Sequence, residues 1–175
     1  TDKKTFVVLN PVAGKIDPIK VHKKIEHILG KRDIPHQIME TTKGEDLHSV
    51  VKNALSQGFE RFVAVGGDGT VSGVASGLTN TGIPLVIVPA GTSNALARAL
   101  NLPLNLGDSL AWWVSGGQVK TVDAMLVEDR YYFLNVSVGL SSKTLTVVDR
   151  QEKRRLGSVV YLWKGFKRLF GISPH

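Results

Sequence analysis

The chain has 175 residues, 42% of them hydrophobic, with a formal charge of +7 and no cysteine. That length holds one full domain and part of another, the lack of thiols excludes disulfides and cysteine catalysis, and no apolar run is long enough for a membrane-spanning helix. The charge is uneven: residues 1–149 carry 15 Lys and Arg against 14 Asp and Glu, whereas residues 150–175 carry seven against one.

Residues 5–9 form an apolar run of strand type that empties into Asn10-Pro11-Val12-Ala13-Gly14-Lys15. A helix is expected over residues 18–29, where Val21, Ile25, Ile28 and Leu29 share one face and Gly30 ends the pattern. Residues 35–39 read as a second strand, leaving through Glu40-Thr41-Thr42-Lys43-Gly44. An amphipathic helix follows over residues 46–55, through Leu47, Val50, Val51, Ala54 and Leu55. A third buried strand at residues 61–65 runs into Gly66-Gly67-Asp68-Gly69-Thr70, with a helix expected over residues 71–78. Gly73 and Gly77, four apart on that helix, read as close-packing positions against the sheet rather than as ligand contacts. Residues 83–88 are a fourth strand, followed by Pro89-Ala90-Gly91-Thr92-Ser93-Asn94 and a helix over residues 95–100, with Ser93 or Asn94 as its N-cap. Near Val122 the pattern changes: residues 119–127 and 131–138 flank Glu128-Asp129-Arg130 as a β-hairpin, and residues 141–148 are a candidate third strand. The alternation predicts a doubly wound, mostly parallel α/β sheet over residues 1–122, followed by the beginning of a β-rich second domain over residues 123–175, expected to be incomplete.

In an open parallel sheet the loops after the strands gather at the carboxyl edge, where ligands bind. Glycines there let backbone N–H groups approach an anion, and the following helix adds partial positive charge. Asp68 would repel phosphate unless a cation stood between them, and a divalent metal carried by a nucleotide is the simplest such cation. Spacing excludes two common phosphate seats. Gly14-Lys15 is followed by Ile16, which breaks a Walker loop, and Gly67-Asp68-Gly69-Thr70-Val71 is followed by Ser72, which breaks the dinucleotide fingerprint. For this segment alone, a ligand-free glycine turn is the alternative. His22, His27, His36 and His48 lack metal-ligand spacing.

Asn10-Pro-x-Ala-Gly14-Lys15, Gly66-Gly67-Asp68-Gly69-Thr70 and Pro89-x-Gly91-Thr92-x-Asn94 together resemble the catalytic region of the diacylglycerol kinases and the bacterial lipid and sphingoid-base kinases. The resemblance covers essentially the whole chain, including Phe133-Leu-Asn135-Val-Ser-Val-Gly139 and Arg155-Leu-Gly157-x-x-x-Tyr161. The Gly-Asp-Gly-Thr element is shared with NAD kinases and phosphofructokinases, and so implies that wider fold; the run from Gly91 to Arg98 narrows it to lipid kinases. The implied reaction is transfer of the γ-phosphoryl group of ATP, with Mg²⁺, to a lipid hydroxyl such as that of diacylglycerol or a sphingoid base. By the same resemblance Gly66, Gly67 and Gly69 bring N–H groups to the phosphates, while Asp68 acts catalytically through the metal or orients the transferred group. Thr70 would cap its helix and touch phosphate. Asn10 and Gly14 would meet the nucleotide from the first loop, Thr41 or its neighbour Thr42 from the second, and Gly91, Thr92 and Asn94 from the other side. Lys15 is a candidate phosphate cation, with a solvated lysine as the alternative. An NAD kinase-like enzyme and a non-catalytic nucleotide-binding module are the competing readings.

Two departures bear on this. Asn94 is followed by Ala95 where many relatives carry Asp, which leans towards the sphingoid-base or broader bacterial branch. The family's downstream Asp-Gly-Glu segment, with its proposed catalytic carboxylate, and the metal-binding acids of the second domain have no counterpart before His175. The chain is therefore expected to be an N-terminal piece that holds nucleotide but lacks its general base, and to be inactive alone. The expected partners are the lipid substrate and an anionic membrane surface, with no nucleic acid, in a cytoplasmic, peripherally bound protein that could form a homodimer. The membrane expectation rests on the tail, where Trp163, Phe166 and Phe170 alternate with Lys164, Lys167 and Arg168. Each basic group near an anionic surface is worth about 1 kcal/mol; the alternative packs those aromatics inside the second domain.

Overall fold

Thr5–Leu9 (β1) and Arg61–Gly66 (β3) are near-continuous apolar runs because they occupy the middle of a sheet covered on both faces, where neither set of alternating side chains meets water. The computed structural model describes residues 3–14, 16–127 and 130–133. In it β1 is followed by Pro18–Gly30 (α1), His36–Glu40 (β2), Leu47–Ser56 (α2), β3, Asp68–Leu78 (α3), Leu85–Pro89 (β4), Ala95–Ala99 (α4), Leu106–Val114 (α5), Met125–Val127 (β5) and Arg130–Tyr132 (β6). The first four strands form one parallel sheet in the order β2-β1-β3-β4.

Alternate residues feed two separate cores. Val7, Leu9, Val63, Val65 and Val88 pack with Val21, Ile25 and Leu29 of α1 and Leu110 and Trp113 of α5. Phe6, Val8, Phe62 and Ala64 pack on the other face with Val51 and Ala54 of α2 and Val71, Val74 and Leu78 of α3. The connection after β1 thus runs over one face and the connection after β3 over the other. β1 and β3 are hydrogen-bonded neighbours, with Leu9 opposite Val65, so the chain's direction of travel reverses between their loops. This is the doubly wound arrangement that the sequence predicts, and it opens a crevice at the carboxyl edge.

Four local features differ from expectation. α3 begins at Asp68, so Asp68, Gly69 and Thr70 form its first turn instead of a loop before it; Gly67 takes the N-cap position, not Thr70. Gly73 and Gly77 press against α2 and not the sheet: a methyl on Gly73 would lie 3.0 Å from Leu47 Cβ, and one on Gly77 2.6 Å from Val51 Cβ. α1 runs through Gly30, with Lys31 as its C-cap. Finally, α5 is absent from the sequence reading, although Leu106, Leu110 and Trp113 are helically spaced and Asn105 accepts from the Asp108 N–H at 2.8 Å as its N-cap. The polar and glycine residues around it hide that signal.

The expected hairpin is present within residues 125–132, while residues 134–138 of its second strand lie outside the described residues. β5 and β6 pair antiparallel with Val127 opposite Arg130, so Arg130 belongs to the strand and only residues 128–129, outside the described residues, connect the two. The candidate third strand at residues 141–148 and the basic aromatic tail also lie outside the described residues. Among the described residues, no helix is long and apolar enough to cross a membrane.

Candidate active site at the carboxyl edge

Backbone bonds carry the strand pairing past the strand ends and draw the loops together. Asn10 N–H donates to Val65 C=O at 2.9 Å, Thr41 N–H to Leu9 C=O at 2.9 Å, and Ala90 N–H to Gly66 C=O at 2.8 Å. The loops that carry Asn10, Thr41, Gly66–Thr70 and Gly91–Asn94 therefore share one edge.

The glycines in these loops do different work. Gly14 has φ +53°, and a methyl there would collide with the Ala90 carbonyl oxygen. A methyl on Gly91 would lie 2.5 Å from Gly67 Cα, and one on Gly67 3.3 Å from Gly91 Cα. The first, third and fourth loops are thus pressed together backbone to backbone, a closeness that only glycine permits. A methyl on Gly66 would meet the Thr70 side chain. Gly69 is the exception: it is exposed, and a methyl there would meet nothing within 4 Å. A glycine in a helix costs about 1 kcal/mol relative to alanine, and nothing in the packing offsets that cost at Gly69.

The N-terminus of α3 differs from those of α1, α2 and α5. Asp17 accepts from Lys20 N–H at 3.1 Å to cap α1, Asp46 from His48 N–H at 3.1 Å to cap α2, and Asn105 caps α5. Gly67 offers α3 no side chain, and the N–H groups of Asp68, Gly69 and Thr70 have no hydrogen-bond partner among the described residues. Three donors and the positive end of the helix dipole thus converge beside the open space at Gly69.

The polar side chains divide into engaged and open groups. Asn94 is 8% exposed, has φ +49°, and closes its loop with two bonds: Gly91 N–H to Oδ1 at 2.9 Å and Nδ2 to Gly91 C=O at 2.8 Å. It sits at the N-cap position of α4, as expected, but does not cap it with its side chain. Asp68 Oδ1 reaches across instead and accepts from Leu96 N–H in the first turn of α4, at 3.4 Å. Asn10 Nδ2 donates to Thr70 Oγ1 at 3.0 Å. Thr42 is held by Glu45, whose Oε2 accepts from its N–H at 2.8 Å and its hydroxyl at 3.4 Å, whereas the Thr41 hydroxyl has no partner among the described residues. Thr92 and Ser93 are exposed at the tip of their loop. Ser93 is an addition to the expected set; its only sequence signal is its place inside the Gly-Thr-Ser-Asn run. Lys15 lies outside the described residues.

Residues 4–127 match the diacylglycerol kinase catalytic domain family. The chain belongs to that family. It is 31% identical to a diacylglycerol kinase of Bacillus subtilis over 98% of the chain and 57% of that protein. It is 30% identical to a protein of Klebsiella pneumoniae named "Probable lipid kinase YegS-like" over 85% of the chain and 50% of that protein. A crystal structure of a diacylglycerol kinase from Bacillus anthracis superposes with a TM-score of 0.65 at 27% identity, over 74% of this chain and 48% of that one. The fold is accordingly that of the phosphofructokinase and NAD kinase-like diacylglycerol kinases. The chain spans about half the length of the curated relatives it matches. Family membership takes the place of the NAD kinase-like alternative.

Proposed function

We propose that the full-length protein is an ATP-dependent lipid kinase that transfers the γ-phosphoryl group to the hydroxyl of diacylglycerol or a sphingoid base. Beyond family membership, one observation carries this reading: the uncapped first turn of α3 presents N–H groups that have no partner among the described residues, beside Gly69, where a methyl would meet none of those residues within 4 Å. Phosphoryl transfer is chiefly positioning and charge neutralisation, and a seat of this kind provides both.

In this reading the N–H groups of Asp68, Gly69 and Thr70 receive phosphate oxygens. The hydroxyls of Thr92 and Ser93 close the seat from the neighbouring loop, and Thr41 approaches from beyond β1. Among the described residues no three His, Cys, Asp or Glu side chains form a metal cage. That donor set fits Mg²⁺ carried in by the nucleotide, since Mg²⁺ commonly takes one or two carboxylates and completes its shell with phosphates and water. Asp68, partly exposed at the edge and with no partner for Oδ2 among the described residues, is the carboxylate that would hold it. The ion would neutralise phosphate charge. No Asp-Gly-Glu segment occurs among these residues, so in this reading they would bind and position the nucleotide, and the general base and acceptor groove would be supplied by other residues. The lipid would be met at an anionic membrane surface by a peripherally bound, cytoplasmic enzyme.

Calorimetry of ATP binding with and without Mg²⁺ tests the site. Binding should require the divalent ion and weaken in Asp68→Asn; metal-independent binding that the substitution leaves unchanged removes Asp68 from it. Phosphoryl transfer by the full-length protein to diacylglycerol or a sphingoid base in anionic micelles tests the activity. ATP binding without transfer to any lipid would leave a binding module in place of a kinase.

A further inference from the structure

The gap between the β1 and β3 loops needs bracing, because the chain leaves these neighbouring strands towards opposite faces of the sheet. The turn on the far side of the gap is intrinsically loose. Gly69 within it lowers helix propensity by about 1 kcal/mol, Gly67 at the N-cap brings no side chain to cap it, and a first helical turn has no intrahelical bonds for its N–H groups. Among the described residues one side-chain bond spans the gap, from Asn10 Nδ2 to Thr70 Oγ1 at 3.0 Å, between residues sixty apart in sequence.

Both ends of that bond are anchored. Asn10 Oδ1 accepts from Val12 N–H at 3.1 Å, and Asn10 N–H is tied to Val65 C=O. Thr70 is 5% exposed, and its side chain occupies the space that a side chain on Gly66 would need; a methyl there would lie 2.5 Å from Thr70 Oγ1. The Thr70 hydroxyl is therefore turned inward, while Gly69 beside it faces open space. We propose that Asn10 and Thr70 are a positioning pair: their bond sets the first turn of α3 against the β1 loop, and they act on the nucleotide only through the N–H groups of that turn. The proposal rests on the nucleotide site described above and reassigns two of its side chains from ligand contact to brace.

A double-mutant cycle on the full-length protein tests it, with Asn10→Ala, Thr70→Val and their combination, and with Thr70→Ser as the variant that keeps the hydroxyl. Each of the first two should weaken ATP–Mg²⁺ binding about five- to tenfold, the net effect of one hydrogen bond. The double variant should be no weaker than either single, because one bond can be lost only once. Thr70→Ser should recover most of the affinity, and KM for ATP should rise while KM for the lipid acceptor holds. In the nucleotide-free protein, hydrogen exchange at the Asp68, Gly69 and Thr70 amides should quicken in Asn10→Ala while the α2 amides keep their rates. Additive losses of affinity with unchanged exchange would overturn the proposal in favour of two independent ligand contacts, and unchanged affinity in every variant would overturn it as well. If the unsubstituted protein binds no ATP, the nucleotide site fails, yet the exchange measurement still decides whether the brace exists. Asn10→Ala supplies that measurement even if Thr70→Val does not fold.

Discussion

Gly69 and Gly77 lie about two turns apart on α3, yet a methyl would meet nothing within 4 Å at the first and Val51 Cβ at 2.6 Å at the second. Gly77 lets two helices approach, and its missing side chain is filled by α2. Among the described residues Gly69 has no neighbour to accommodate, so its missing side chain leaves open space. The same residue type on the same helix thus marks packing at one end and open space, the proposed phosphate seat, at the other, and only the surroundings separate the two.

The largest expected effect falls on the packed end. Gly77→Ala forces a methyl into Val51 and the His48 carbonyl, and overpacking of this kind costs about 1–3 kcal/mol. Denaturant unfolding should show that loss, while ATP affinity of the folded fraction stays unchanged. A fall in affinity without a fall in stability would erase the distinction between the two ends.

Gly67→Ala tests the boundary between them. Its methyl would lie 3.3 Å from Gly91 Cα, tight enough to push the two loops apart by a few tenths of an ångström. Melting temperature should drop modestly and ATP affinity should drop with it, since the displaced loop carries Thr92 and Ser93. Intact affinity in a destabilised variant would assign Gly67 to loop packing alone.

Gly69→Ala should move stability and binding in opposite directions. Replacing an exposed helical glycine stabilises by about 0.5–1 kcal/mol, whereas a methyl at the phosphate approach should weaken ATP binding. Thermal melts and calorimetry on one preparation read both. A variant that is both more stable and equally tight would mean that the open space at Gly69 is not used.

The smallest effect concerns helix ends. The Ser49 hydroxyl holds the Asp46 carboxyl below its ordinary value of 3.8, and the Lys20 backbone N–H does the same for Asp17. A carboxyl lowered in this way stabilises the fold above its unfolded value, and the contribution disappears as pH falls through the lowered one. Acid titration below about pH 4 should therefore loosen the first turns of α1 and α2. Gly67 gives α3 no carboxylate cap to lose, so exchange at its first turn should change least; equal loosening of all three would contradict the difference in capping.

Much of the fold is legible in the sequence. The apolar runs at residues 5–9 and 61–65 can only be central strands of a doubly covered sheet, and the loops that follow them identify the carboxyl edge and the family. α5 escaped because Asn105, Gly107 and Asp108 interrupt the pattern that Leu106, Leu110 and Trp113 make against the sheet. Within the site, the motif residues were legible as a set but their individual roles were not. Gly14, Gly67 and Gly91 turned out to hold loops against one another, Asn94 to close its own loop, and Asn10 to reach Thr70.

The sequence alone thus determined the alternation of strand and helix, the glycine-rich turns and the family, because backbone propensity, hydrophobic period and motif spacing are properties of short segments. Tertiary structure alone decided which glycine faces protein and which faces open space, and which polar groups are already engaged. Those are distances between residues as far apart as 10 and 70 or 67 and 91, and they come into being only when parallel strands bring separate loops to one edge.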